Sequence, residues 1–248
     1  MDLYVRENHM VAAIELFQKE GILWIFRWWH VVFGVAWIGL LYYFNFVQVP
    51  SFPTMEAAHR NGAIDKLVPR ALWYFRFAAL ATALTGLVMM AVKGGDYFID
   101  GQTQYGHAVY MGALIGLVML GNVWLVIWPN QKIVIENARG LLAGKAADPA
   151  VGGAGRKALL ASRTNAIFSI PMLMFMTGAQ NYFGGVKPSI PLLWIVVIAV
   201  VVVLELSALG FIGGMEGPLT KPLASHKNIA HIGVPIALVI LLLWQFTS

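Results

Sequence analysis

The chain has 248 residues, 59% of them hydrophobic and only 12% charged, with a net charge of +5 and no cysteine. Soluble domains carry about a quarter charged residues, so this is the composition of an integral membrane protein. The absence of cysteine excludes disulfides, thiolate metal sites, iron–sulfur clusters and the C-x-x-C-H attachment of c-type haem, and a small positive excess in a membrane protein reports loop placement rather than nucleic-acid binding.

At the N-terminus, Glu7, Glu15, Lys19 and Glu20 interrupt any apolar run, so no cleaved signal peptide is expected. Met10–Lys19 is too short to span; Ile14 and Phe17, three residues apart, predict a short interfacial helix there. Six apolar stretches follow, at about 22–48, 71–92, 107–128, 165–183, 190–213 and 229–247. Crossing a hydrocarbon core ~30 Å thick takes ~20 apolar residues in a helix. No ten-residue alternating strands occur, and in lipid only helices or closed barrels satisfy the backbone. The expected fold is therefore all-α: a single integral membrane domain, residues 1–248, built as a bundle of six transmembrane helices. Pro171 predicts a kink in the fourth span. Gly112 and Gly116 form a G-x-x-x-G on the third, which points to close helix packing.

Loop charge sets the expected orientation. The segment 129–164 carries Lys132, Arg139, Lys145, Arg156, Lys157 and Arg163, whereas 94–106 carries Asp96 and Asp100 and no lysine or arginine. The positive-inside rule makes 129–164 a cytoplasmic loop and places both termini outside. The run "GLLAGKAADPAVGGAG" within it reads as small and flexible. No internal repeat is evident.

Polar residues inside spans default to functional hypotheses. Arg27, His30, His107, Tyr110, Gln180 and Asn181 lie toward the outer side; Arg76, Asn122, Asn165, Ser169, Glu205 and His231 lie toward the inner side. Helical spacing puts Arg27, His30, Gly34, Trp37, Leu41 and Asn45 on one stripe, which should face other helices. Two readings of His30 stand. In one, it bonds to a neighbouring helix, with Tyr110, Gln180 and Asn181 the candidates by depth. In the other, it ligates a b-type haem for which Gly34 leaves room, with His107 as the second histidine. Arg27 lies near the boundary, where it can snorkel. Arg76 and Glu205 lie at comparable depth from the inner side and are expected to form an intramembrane ion pair, directly or through one bridging group; Glu205 is otherwise a candidate proton relay or quinone-site residue. The residues themselves suggest no other metal site.

Four stretches together resemble a known family: "RWWHVVFGVAWIG", "WYFRFAALATALTGL", "MGALIGLVMLGNVWLVIWPNQK" and "DPAVGGAGRKALLASRTNAIFSIPMLMFM". In this order they resemble the membrane domain of bacterial cytochrome-c-linked urate oxidases, the urate oxidase N-terminal family, over most of 26–182. The resemblance implies a domain in the bacterial inner membrane that works with cytochrome c, with His30 matching the family's first-helix histidine. It also exposes departures. No fused cytochrome c domain is expected, and the family pattern has histidines where this chain has Tyr110, Thr164 and Gln180, and a glutamate where it has Ala78. Neither tyrosine nor glutamine replaces imidazole as a proton carrier or b-haem ligand. The expected function is a stand-alone membrane subunit, packing with other membrane protein subunits in a larger redox or energy-transducing complex. The alternative is a catalytic urate or purine oxidase, with Arg27 and Gln180 binding an anionic substrate and electrons passing to a separate cytochrome c.

Overall fold

The computed structural model describes residues 16–98, 104–183 and 190–246. The interfacial helix expected at Met10–Lys19 lies mostly outside the described residues. Within them there is no strand, and six helices are long and apolar enough to cross a membrane. The first runs Lys19–Tyr42, widens to a π-helical stretch at Tyr43–Gln48 and ends at Thr54. The second, Val68–Phe98, is preceded by the shorter helix Ala57–Lys66. The third runs Gln104–Gly121, passes through a second π-helical stretch at Asn122–Ile127 and continues as Trp128–Leu142. The fourth is Val151–Asn181, the fifth Ile190–Ala208 and the sixth Asn228–Phe246.

Helix ends depart from the apolar boundaries, and two of the departures have a clear cause. The segment 129–164, expected as one long loop, is helical on both sides of a turn at 143–150. Charge limits how far a segment can sit in lipid, but it does not stop a helix. Ile135 and Ala138 still give Trp128–Leu142 a buried face. The fifth helix stops at Ala208 rather than 213, because Gly210, Gly213 and Gly214 adopt φ of 82°, 75° and 74°. That left-handed region is open to glycine at little cost.

The fourth helix is the centre. In its most apolar window 67% of residues are buried, against no more than 39% in any other helix. The first and second helices pack along each other, while the third and sixth pack on the fourth. Gly112 is the small residue that matters on the third: a Cβ there would lie 3.1 Å from both Phe175 Cβ and Met176 Cε, whereas Gly116 faces open space. Pro171 lies inside the fourth helix and has no N–H, so the Ile167 carbonyl loses its helical donor. Gly233 of the sixth helix rests there; its added Cβ would lie 3.0 Å from that oxygen and 2.6 Å from Ile170 Cδ1.

The end of the bundle carrying the 143–150 turn is tied by ion pairs. Asp65 bonds to Arg139 and Lys66, each at 2.7 Å, which docks Ala57–Lys66 on the third helix. Arg156 donates to the Met215 carbonyl at 3.0 Å and pairs with Glu216, fastening the glycine-rich turn after the fifth helix to the fourth. The lysines and arginines there make this the basic end of the bundle.

Candidate functional site

Three buried polar groups of the fourth helix organise the half of the bundle nearer the basic end. Arg163 is only 2% exposed, yet among the described residues its guanidinium pairs with no carboxylate. It donates instead to the backbone carbonyl of Asn45 at 3.0 Å. The reason lies in the local sequence "FNFVQVP". In the π-helical stretch the Val49 N–H reaches back to the Phe44 carbonyl. The next donor in that register would be residue 50, which is Pro50 and has none. Asn45 thus keeps an orphan buried carbonyl, a costly group that Arg163 satisfies. The Asn45 side chain donates to the Leu41 carbonyl at 2.8 Å and to Ser162 Oγ at 2.9 Å. A proline also follows the second π-helical stretch, as Pro129. In both places the residue after the proline turns its side chain back: Ser51 donates to the Val47 carbonyl and Asn130 to the Val126 carbonyl, each at 2.7 Å. The sequence shows no repeat by identity, but it uses one backbone device twice.

Asn165 and Ser169 are the other two groups. Asn165 Nδ2 donates to the Met119 carbonyl at 2.9 Å. Asn122 Nδ2, at the start of the second π-helical stretch, donates to Asn165 Oδ1 and to Glu205 Oε2, both at 2.9 Å. Ser169 donates to the Ala166 carbonyl at 2.7 Å and accepts from Tyr42 at 2.8 Å. Third, fourth and fifth helices are thus joined by an amide–amide–carboxyl chain.

The expected ion pair between Arg76 and Glu205 is not formed. The Arg76 guanidinium lies 3.4 Å over the Trp128 ring, with Trp124 at 5.3 Å and Phe77 at 5.8 Å, and its Nε donates to the Leu72 carbonyl at 3.2 Å. Aromatic faces attract a desolvated cation, so Arg76 is satisfied without a counter-ion. Matched depth was real, but depth does not fix the helix face: Glu205 turns to Asn122.

His30 bonds to the second helix rather than to Tyr110, Gln180 or Asn181. Its Nδ1–H donates to the Thr82 carbonyl at 2.8 Å, with Thr85 Oγ1 at 3.3 Å. A Cβ on Gly86 would meet the ring at 3.1 Å, and Gly34 faces Thr82 Cγ2 at 3.9 Å from its own added Cβ. The second helix lies against Gly34 on the side where room for a macrocycle was expected, and the Nδ1 bond leaves Nε2 as the one ring nitrogen of His30 that could ligate. His107 is held elsewhere, accepting from Trp194 Nε1 of the fifth helix at 3.3 Å. Among the described residues no cluster of three or more His, Asp or Glu could hold a metal ion. Arg27 and Gln180 are exposed, and no hydrogen bond joins either to His30. Trp37, Leu41 and Asn45 of the stripe are buried as expected; His231 is exposed.

Arg163 was the residue least visible in the sequence. It reads there as a loop cation, because the charge itself sets where the fourth apolar stretch begins. The signal was Pro50, whose missing N–H calls for a buried donor near Asn45.

Fold and polar core define a six-helix bundle of membrane type with a buried hydrogen-bonded centre. The family described as Urate oxidase N-terminal has a sequence model that matches residues 96–217, about half of the chain. The resemblance read from the sequence over 26–182 is borne out where the two overlap, at 96–182, and the match extends past it through the fifth helix. It contains the third, fourth and fifth helices, and so Asn122, Arg163, Asn165 and Glu205. No curated protein and no solved structure matches the chain.

Proposed function

We propose that this chain is an integral membrane subunit, related to the urate oxidase membrane domain, that works in a larger redox or energy-transducing complex and holds or passes a proton at Glu205. The bond from Asn122 to Glu205 carries the reading. A carboxyl that far along an apolar helix has a neutral amide as its partner and no cation within ion-pair range among the described residues. Nothing fixed holds its charge, so it is free to gain and lose a proton. Ionisable groups within membrane helices mark proton paths by default.

Aromatic placement supports the membrane setting. Trp24, Trp28 and Trp29 are exposed near the start of the first helix and Tyr43 is exposed further along it. Nineteen steps at ~1.5 Å separate Trp24 from Tyr43, close to the ~30 Å hydrocarbon core whose borders favour Trp and Tyr. The lysines and arginines of the basic end favour the bacterial cytoplasm for that end, with both termini outside. A catalytic oxidase reading has less support, since His30, Arg27 and Gln180 do not gather in one pocket.

Two measurements test this. Mass spectrometry of the complex gently solubilised from its native membrane should find the chain in a discrete larger assembly; recovery of the chain alone would defeat the subunit reading. Infrared titration of the purified protein should show a carboxyl band that responds to pH and disappears in Glu205→Gln. A spectrum in which Glu205→Gln removes no titrating band would defeat the proton role.

A further inference from the structure

Both π-helical stretches border the same cavity. It has a volume of about 210 Å³ and lies among the first four long helices toward the basic end. Phe44 and Gln48 of the first stretch line one side, and Ile127, the last residue of the second, lines another. π-Helical turns are rare and occur frequently at functional sites. Two of them on one cavity are more than bundle packing requires.

The lining states a chemistry. Three hydrogen-bonding side chains reach the cavity from three different helices: Gln48, Gln131 and Ser162. The glutamine side chains have no protein partner among the described residues. Ser162 Oγ already accepts from Asn45, so its own proton is left to donate. Among the described residues no charged side chain lines the space. Phe44 and Phe75 supply aromatic wall, packed edge to face at 5.4 Å. Small-molecule sites have this anatomy, an apolar lining with a few placed polar groups. An anion would lose its hydration there without gaining a cation. A flat neutral ring with carbonyl acceptors on its rim suits all of these features. The volume also fits, since a cavity of ~150 Å³ holds benzene. We propose that this cavity binds the headgroup of a membrane quinone. A lipid ester carbonyl offers similar acceptor chemistry, so the test separates the two. The proposal does not rest on Glu205, which does not line the cavity, and either reading can fail without the other.

The test is photolabelling of the full-length protein in phosphatidylcholine nanodiscs with a short-chain azidoquinone, with labelled peptides located by mass spectrometry. Labelling should saturate, fall on peptides containing 44–50, 127–131 or 155–162, and be displaced by decylubiquinone. The variant Gln48→Leu with Gln131→Leu keeps the apolar lining and removes two donors. It should need at least about tenfold more quinone for half-labelling, the equivalent of one to two hydrogen bonds. Ala158→Phe should fill the cavity and abolish the labelling. If Ala158→Phe does not fold, the glutamine variant decides alone. Labelling that does not saturate, half-labelling unchanged in the glutamine variant, displacement by urate but not by quinone, or a co-purified phospholipid that quinone cannot displace would each overturn the proposal.

Discussion

Arg163 donates to the Asn45 carbonyl at 3.0 Å, and that carbonyl is the one Pro50 leaves without its π-register donor. The pairing makes an otherwise puzzling buried cation a consequence of one proline five residues along another helix. Replacing Arg163 with Leu should cost about 1–3 kcal/mol, the usual penalty for an unsatisfied buried carbonyl. In a Pro50→Ala background the missing N–H returns, so the same replacement should cost about 1 kcal/mol less. Thermal midpoints of the four proteins in detergent would measure this. Equal costs in both backgrounds would separate Arg163 from Pro50.

Arg76 gives a second prediction. Its guanidinium is held by Trp128 and Trp124 rather than by Glu205. Trp128→Leu should therefore destabilise by about 1–2 kcal/mol beyond its lost packing, with Trp128→Phe much milder. Arg76→Leu and Glu205→Leu should add to within about 0.5 kcal/mol, as independent sites do. A double variant clearly more stable than that sum would restore the ion pair.

A third concerns His30, whose ring lies against Gly86. Gly86→Ala should push the ring off the Thr82 carbonyl and destabilise by about 1 kcal/mol or more. In a His30→Ala background the same change should cost nothing or stabilise, because alanine favours a helix interior over glycine by up to about 1 kcal/mol. His30→Gln should still fold and assemble, because the amide retains a donor. A cost for Gly86→Ala that persists without His30 would place the clash elsewhere.

The 143–150 turn provides the topological test. Lys145 sits in it, exposed and beyond the ends of both flanking helices. With Lys145→Cys as the single thiol of a chain that has none of its own, a membrane-impermeant reagent should label everted vesicles and not intact cells. Labelling of intact cells would invert the orientation.

The six helices were legible because a run of ~20 apolar residues has few alternatives in lipid. Helix ends were less so, since hydropathy reports the bilayer and not the backbone: Trp128–Leu142 is charged and still helical. Within the site, the stripe from His30 to Asn45 was correctly turned inward by its 3.6-residue period, but the period could not say which neighbour it meets. That choice belongs to packing between the first and second helices, where Thr82, Thr85 and Gly86 provide the complementary face. The π-helical stretches were invisible for a different reason. They depend on which backbone donors are missing and on side chains contributed from far along the chain, at Arg163 and Asn165.

The polarity of the fourth helix bears on how the protein is made. Alone in a bilayer this segment would carry Arg163 and Asn165 without the partners they find in the bundle, and unpartnered polar groups in lipid are costly. Its acceptors and donors come from helices synthesised earlier: Asn45 and Tyr42 from the first, Asn122 and Met119 from the third. A ribosome that has just finished this segment therefore has to deliver it to a translocon still holding its predecessors. Biogenesis of the bundle should thus be ordered from its rim to its middle, with the segment that ends up most protected being the last of the first four to commit to the membrane.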